Sequence, residues 1–289
     1  MGSGMIDEHL RRRPAEALRP YIAWYSGYRQ RGVAPALHRG LPSPYLTLIF
    51  TLDEPLTVLA HPDPAQAPAD FGTLLGGLHA SPALIAHQGA QSGIQVMLKP
   101  LGARVLLGLP AGELAQVDVP SDAVLGDIAA RIHDRMRAAD GWPERFSVLD
   151  EDFAALLGAE HPVMPREVTW AWRLLLRSGG TLPVARLATE TGWSSRHLAS
   201  RFRAEIGLTP KAAARVIRFD HARRRLVEPA LRSAGPKLGL AELAVTCGYF
   251  DQAHLAREFR ALSGCPPSQW LAEEFRNVQA GAWLAEEGW

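Results

Sequence analysis

Apolar positions recur at helical spacing in two stretches of nearly the same wording. "HLASRFRAEIGLTP" at 197–210 and "HLAREFRALSGCPP" at 254–267 share eight of their fourteen residues. Each belongs to a longer pattern of two short helices around a glycine. In "LPVARLATETGWSSRHLASRFRAEIG" the inward positions fall to Leu187, Ala188, Leu198, Phe202 and Ile206, on either side of Gly192. In "LGLAELAVTCGYFDQAHLAREFRALSG" they fall to Leu243, Ala244, Leu255, Phe259 and Leu262, around Gly248. A small residue four places before the glycine lets the helices approach closely, and the glycine permits the positive φ of a sharp turn. Ser194 or Ser195 caps the second helix of the first unit, and Asp251 that of the second. The offset is 56 residues up to Gly248 and 57 beyond it, so the second turn is one residue longer. Between the units, "TPKAAARVIRFDHARRRLV" predicts one long helix, with Thr209 as cap and Pro210 in its first turn. The pattern therefore predicts two helix-turn-helix units joined by a helix.

The first half has a different texture. "PYLTLIFTL" (44–52) is rich in branched and aromatic residues and "GIQVMLKP" (93–100) partly alternates, so both read as strands. "HPDPAQAPAD" (61–70) reads as a loop. "EALRPYIAWY" places Leu18, Tyr21, Ile22 and Tyr25 at helical spacing, against the interruption of Pro20. After Ser121, an N-cap candidate, Val124, Leu125, Ile128, Ile132 and Met136 form one helical face. "PERFSVLDEDFAALLG" predicts a further helix, and the acidic run Asp150, Glu151 and Asp152 reads as a favourable helix N-terminus. "AEHPVMP" (159–165) reads as a linker. The expected fold class is α+β in two domains: a mixed strand and helix, barrel-like sensor or dimerisation domain over 5–160, and an all-α tandem helix-turn-helix domain over 165–275. The remaining tail, 276–289, docks Trp283 or Trp289 on a neighbouring surface or stays disordered.

Composition narrows the function. A chain of 289 residues with 47% hydrophobic and 21% charged residues gives each of two domains enough to bury its own core. No run of eighteen apolar residues and no apolar signal core occur, and Met1-Gly2-Ser3-Gly4 ahead of Met5 reads as a cloning remnant. Two cysteines, Cys247 and Cys265, make neither a disulfide nor a zinc framework, which points to a reduced, cytoplasmic protein. The net charge of +1 hides an asymmetry: residues 166–260 hold 17 basic and 8 acidic side chains, and the remainder holds 14 and 22. The positive excess thus lies on the duplicated segment, as polyanion binding requires. Arg outnumbers Lys 28 to 3, consistent with a GC-rich genome. No nucleophile elbow, phosphate loop, dinucleotide fingerprint or zinc-protease helix is present, so no catalytic residue and no cofactor are expected. His79 and His87 flank a strand turn at a spacing that matches no metal site, and no metal is expected either.

The outward stripe of each second helix carries the chemistry. With Leu198 and Phe202 inward, Arg196, Ser200 and Arg203 face outward. In the copy, Ala253, Arg257 and Arg260 hold the same stripe, with Gln252 and His254 beside it. Arg pairs with guanine and Gln with adenine, while hydroxyls such as those of Ser194 and Ser195 and further arginines take phosphates. The repeated His197 and His254 either touch bases or cap and pack against the first helix of each unit.

At these residues the second half resembles the DNA-binding domain of the AraC/XylS family of bacterial transcription regulators. "FRALSGCPPSQW" is similar to the family's closing signature, in which an F-R or F-K pair leads through G-x-x-P to an aromatic residue. The likeness covers roughly 165–273. It implies DNA contacts at Arg196, Ala199, Ser200, Gln252, Ala253, His254 and Arg257. Ala199 and Ala253 replace longer polar residues of some relatives and leave only contact with a thymine methyl. In the first half, "LKPLGARVLLGLPAGEL" resembles a segment of N-terminal domains in some actinobacterial relatives, which suggests a sensor. Tyr21, Trp24, Tyr25, Tyr45, Phe50 and Phe71 either pack that domain or line an apolar effector pocket. The expected function is a sequence-specific regulator acting on double-stranded operator or promoter DNA under a small-molecule effector. Its further expected partners are a second copy of the chain and, for an activator, RNA polymerase. The alternatives are an architectural DNA-binding protein without effector, which would show little sequence preference, and a DNA-targeted enzyme.

Overall fold

The structure, a computed structural model, describes residues 5–158, 163–231 and 239–274. The branched and aromatic runs of the first half pair into two antiparallel sheets. The larger has the order β1 (Ile6–Arg12), β2 (Ile22–Arg31), β9 (Ala90–Leu98), β4 (Leu46–Thr51), β7 (Thr73–Gly76) and β10 (Asp118–Pro120). The smaller runs β3 (Ala36–Gly40), β8 (Ala83–His87), β5 (Leu56–Ala60) and β6 (Ala69–Phe71). The sheets face each other across Ile49, Leu56, Val58, Phe71, Leu74 and Ile85, and they remain two sheets where a closed barrel would have joined them.

Three local expectations are corrected. The helical spacing of "EALRPYIAWY" yields only a 3-10 turn, Glu16–Leu18, and then β2. Pro20 interrupts any helix, and pairing with both β1 and β9 wins over side-chain periodicity. The face after Ser121 is split into α2 (Asp122–Leu125) and α3 (Asp127–Ala138) at Gly126, whose φ of +57° no helix accommodates. Ser121 itself has helical backbone angles and caps nothing. Nor do Asp150, Glu151 and Asp152 begin a helix, because α4 (Trp142–Leu156) starts earlier, at Gly141 and Pro143. They serve as ion-pair partners instead: Asp150 for Arg12 at 3.1 Å, and Asp152 and Glu151 for Arg135 at 2.6 Å each.

Helices α3 and α4 cover one face of the larger sheet, where Tyr25 stacks on Phe146 and donates its hydroxyl to Asp150 at 3.0 Å. A single turn, α1 (Pro100–Gly102), runs into a π turn (Ala103–Leu107) and, beyond Pro110, a 3-10 turn (Ala111–Leu114). The second half is helical: α5 (Arg166–Arg177), α6 (Val184–Thr191), α7 (Ser195–Ile206), α8 (Pro210–Leu231), α9 (Leu240–Thr246), α10 (Gln252–Ser263) and α11 (Pro267–Glu274). The halves do not keep separate cores. One apolar cluster runs from Leu48 and Phe50 through Ala111 and Leu114 to Leu198, Phe202 and Phe259. Part of the expected linker, 159–162, and the tail with Trp283 and Trp289 lie outside the described residues.

Candidate nucleic-acid interface

Each recognition helix is built on the same local logic. In the first unit Gly192, at φ +71°, ends α6 and turns the chain, and the Trp193 amide donates to the Ala188 carbonyl at 3.1 Å. The open choice of cap resolves to Ser194, whose hydroxyl accepts from the His197 amide at 3.3 Å, while Ser195 is the first residue of α7. In the second unit Gly248, at φ +74°, does the same after α9, and the Tyr249 amide donates to Ala244 at 2.9 Å. Asp251 then caps α10, its carboxylate accepting from the His254 amide at 2.6 Å. Leu198, Phe202 and Ile206 of α7, and Leu255, Phe259 and Leu262 of α10, are buried.

The opposite stripe is therefore exposed. Ser194, Ser195, Arg196, Ser200 and Arg203 face solvent on the first unit, with Ala199 half-buried beside them. Gln252, Ala253, Arg257 and Arg260 face solvent on the second, with His254 half-buried. Both repeated histidines pack edge-on against the aromatic residue of their turn: His197 on Trp193 at 4.6 Å, His254 on Tyr249 at 5.4 Å. The ring nitrogen Nδ1 of His254 also accepts from the Phe250 amide at 3.2 Å. These contacts identify the longer turn's extra residue. Trp193 corresponds to Tyr249 and Ser194 to Asp251, so the insertion is Phe250.

The long helix α8 holds the units together. The Thr209 hydroxyl caps it, accepting from the Ala212 amide at 3.2 Å. Glu258 of α10 takes Arg215 of α8 at 2.7 Å and Arg218 at 3.5 Å, and Arg218 also lies over the Tyr249 ring. The N-terminal half grips the other end of α7. Arg104, on the π turn, meets Glu205 through two parallel N–H···O bonds, at 2.7 and 2.9 Å. Bonding to that buried carboxylate raises the Arg104 pKa further. Gly112 lies against the Ala204 carbonyl so closely that any side chain there would collide with it. Arg39 of β3 pairs with Glu273 of α11 at 2.6 Å.

The six aromatics expected to line an effector pocket do not converge on one cavity. Tyr25 and Phe50 are fully buried on the helix-covered face of the larger sheet, and Tyr21 packs at the edge of that core. Trp24 and Tyr45 meet edge-on at 4.9 Å, with Arg11 and Arg224 over the Trp24 ring. Phe71 lies between the sheets against His61. Sequence reasoning missed a cavity of about 70 Å³ at the mouth of the two sheets. Ile49, Leu74, Ile85 and Gln95 line it from the strands, and Arg223 of α8 and Trp270 of α11 complete it. Nothing in local sequence pattern joins residues so distant along the chain. His79, which borders this cavity, has its Nδ1 on the Ser81 carbonyl at 2.6 Å, and burial lowers its pKa. His87, at the end of β8, accepts from the Gly89 amide.

Comparison with known proteins finds relatives of both halves. A helix-turn-helix domain family (HTH_18) matches residues 187–273, and a domain family of unknown function (DUF6597) matches residues 10–120. A probable thc operon regulatory protein of Rhodococcus erythropolis is 30% identical over 123 residues, 42% of this chain. That match spans 36% of the relative's length. Among solved structures, unsaturated fatty acid bound ToxT from Vibrio cholerae is similar in fold, with a TM-score of 0.50 and 10% identity. That match covers 91% of this chain and 97% of ToxT. A further ToxT crystal form reaches a TM-score of 0.48 at 11% identity, over 86% of this chain and 97% of its own.

Proposed function

Because the chain belongs to the AraC/XylS family, we propose that it is a transcription regulator that binds a specific double-stranded operator or promoter sequence under the control of a small-molecule effector. The observation that carries this reading is the pair of exposed stripes, Arg196–Ser200–Arg203 and Ala253–Arg257–Arg260, at corresponding places on two helices tied to one long α8. Each helix can enter a major groove, and on one face of the duplex the two grooves lie about 34 Å apart. One protomer then reads two successive grooves, and because the stripes differ, its site is asymmetric. Ser194, Ser195 and Arg203 take phosphates, and the remaining stripe residues read bases.

For the effector, ToxT offers a protein of similar fold with a bound fatty acid. In this chain the favoured place is the cavity shared by the sheets with Arg223 and Trp270. A metabolite larger than that cavity must push α8 and α11 away from the strands, and that displacement couples binding to the DNA-reading helices. The reading assigns the chain no catalytic step and places it in the cytoplasm. A homodimer would present two such readers to one promoter, and an activator would also touch RNA polymerase.

The test is selection of duplexes from a random library by the full-length chain, with and without cell extract, followed by salt titration of the selected site. An asymmetric motif is expected, with log affinity falling against log salt by about 0.9 per phosphate contact. Binding that enriches no sequence would give the architectural alternative, and binding indifferent to salt would remove the nucleic-acid reading.

A further inference from the structure

The extra residue of the second turn is a phenylalanine held out into solvent. Phe250 is 89% exposed, more than any other large hydrophobic residue described. The fold gains nothing from its ring. The turn closes without a residue at that place in the first unit, where Trp193 is followed directly by the cap Ser194. In the second unit Tyr249 fills the position of Trp193 and is buried, so Phe250 is not the aromatic that packs the turn. Its amide is tied to His254, which fixes the peptide from which the ring projects.

That peptide lies immediately before Asp251, the cap of α10. In a helix-turn-helix the N-terminal residues of the second helix meet the base edges, and Phe250 stands one residue ahead of the cap and two ahead of Gln252, the first residue of that helix. An apolar ring there has no use for a phosphate. It does match the C5-methyl group of thymine, which projects into the major groove. Val245 on α9 is the one other large apolar side chain exposed among the described residues of this unit. A stable protein partner needs about 800 Å² from each side, whereas a base methyl needs a single ring. The basic stripe on α10, Arg257 and Arg260, complements a polyanion.

We propose that Phe250 is a thymine-reading residue, packing on one methyl group at the edge of the base sequence read by the second unit. The proposal rests on the DNA-binding reading. It is tested with the full-length chain and the duplex it selects, by replacing each thymine in turn with deoxyuridine and comparing wild type with Phe250→Ala. Uracil at one position should weaken wild-type binding about 4-fold, the loss that matches one buried methyl group. Phe250→Ala should weaken binding to the thymine duplex at least as much and be indifferent to uracil at that position. Thermal melting of the variant should match wild type, since the ring is outside the core. If Phe250→Ala binds every duplex as wild type does, the proposal is wrong and the ring is left for a protein partner. If it weakens binding yet keeps the wild-type response to uracil at every position, the ring touches backbone and thymine reading is overturned. A wild-type chain that selects no sequence is a separate outcome, which removes the DNA-binding reading itself and Phe250 with it.

Discussion

The two helix-turn-helix units share their packing and differ at opposite ends of their recognition helices. Phe202 corresponds to Phe259, Leu198 to Leu255 and Ala188 to Ala244, all buried. At the N-terminal end of the helix, the first unit turns through Trp193 and Ser194 while the second inserts Phe250 before its cap. At the C-terminal end, the first unit carries Glu205 and the second carries Leu262 at the corresponding place. Glu205 is buried and held by Arg104 from the N-terminal half; Leu262 is buried in the shared core. Duplication thus supplied one scaffold, and divergence went to the end that meets DNA in one copy and to the end that meets the N-terminal half in the other. The first unit meets the N-terminal half through α7 itself and the second through α11, and only the second carries the extra turn residue.

Breaking the Arg104–Glu205 pair should have the largest effect. Glu205 is only 4% exposed, and removing its partner leaves a buried carboxylate without its counter-charge. Arg104→Ala should cost about 3–5 kcal/mol in urea denaturation of the full chain. Replacing both groups, as Arg104→Met with Glu205→Leu, gives the first unit the apolar residue already present in the second, and should recover most of that loss. A single variant as stable as wild type would mean that this contact does not anchor α7.

The next effect separates the units as readers. Arg196→Ala and Arg257→Ala should each weaken binding of the selected duplex by about 1–3 kcal/mol if the side chains touch bases, and should relax preference in different halves of the site. Arg203→Ala should weaken all sequences alike, as a phosphate contact does. Loss of preference at the same base positions in both variants would contradict two units reading separate grooves.

The contrast between the units was legible in the sequence to unequal degrees. Their helices, caps and turn glycines follow from local pattern, because capping and tight turns are chemistry within four or five residues. The extra turn residue was visible as a change in offset. That it is Phe250 needed the contacts of Trp193, Tyr249 and their histidines. The first half was harder to read. A 3.6-residue spacing at Leu18, Tyr21, Ile22 and Tyr25 was overruled by strand pairing across 70 residues of chain, and the pair Arg104–Glu205 spans 101. The cavity is lined from residues as far apart as His38 and Trp270. Such contacts leave no periodic trace, so aromatic content alone could not point to this cavity.

A smaller effect compares the two caps. Ser194→Ala and Asp251→Ala each remove one side-chain acceptor from a helix N-terminus and should each cost about 1 kcal/mol. Asp251→Ala should cost the more, because its bond is shorter, at 2.6 against 3.3 Å, and is made by a charged group. Asp251 also sits at the positive end of the α10 dipole. Asp251→Ser, which installs the first unit's cap in the second, should fall between wild type and Asp251→Ala in thermal melting. Equal losses from the two alanine variants would mean that the caps, unlike the turns and the C-terminal ends, have not diverged in strength.

The smallest effect at neutral pH compares the sheets with the helices. Burial lowers the pKa of His79, beside the inter-sheet cavity, and of His221 on α8, where Arg225 adds repulsion. Above about pH 6.5 each histidine is neutral in both the folded and the unfolded chain and contributes no pH dependence. Below that value the unfolded chain takes up protons that the folded chain refuses. Stability is therefore retained above the unfolded pKa and is lost as pH falls toward the lowered folded one. His79→Gln and His221→Gln should each flatten the acid limb of a melting-temperature profile below about pH 6.5 without moving its neutral plateau. His221 lies against the Gly179 turn and accepts from Arg225 at 3.1 Å, so its effect belongs to the helical half. His79 lies between β7 and β8, and burial also lowers the pKa of His9 on β1 and His87 on β8. If His79→Gln leaves the acid limb as steep as wild type while His221→Gln flattens it, the acid sensitivity lies with His221 in the DNA-reading half and not with the histidine beside the inter-sheet cavity.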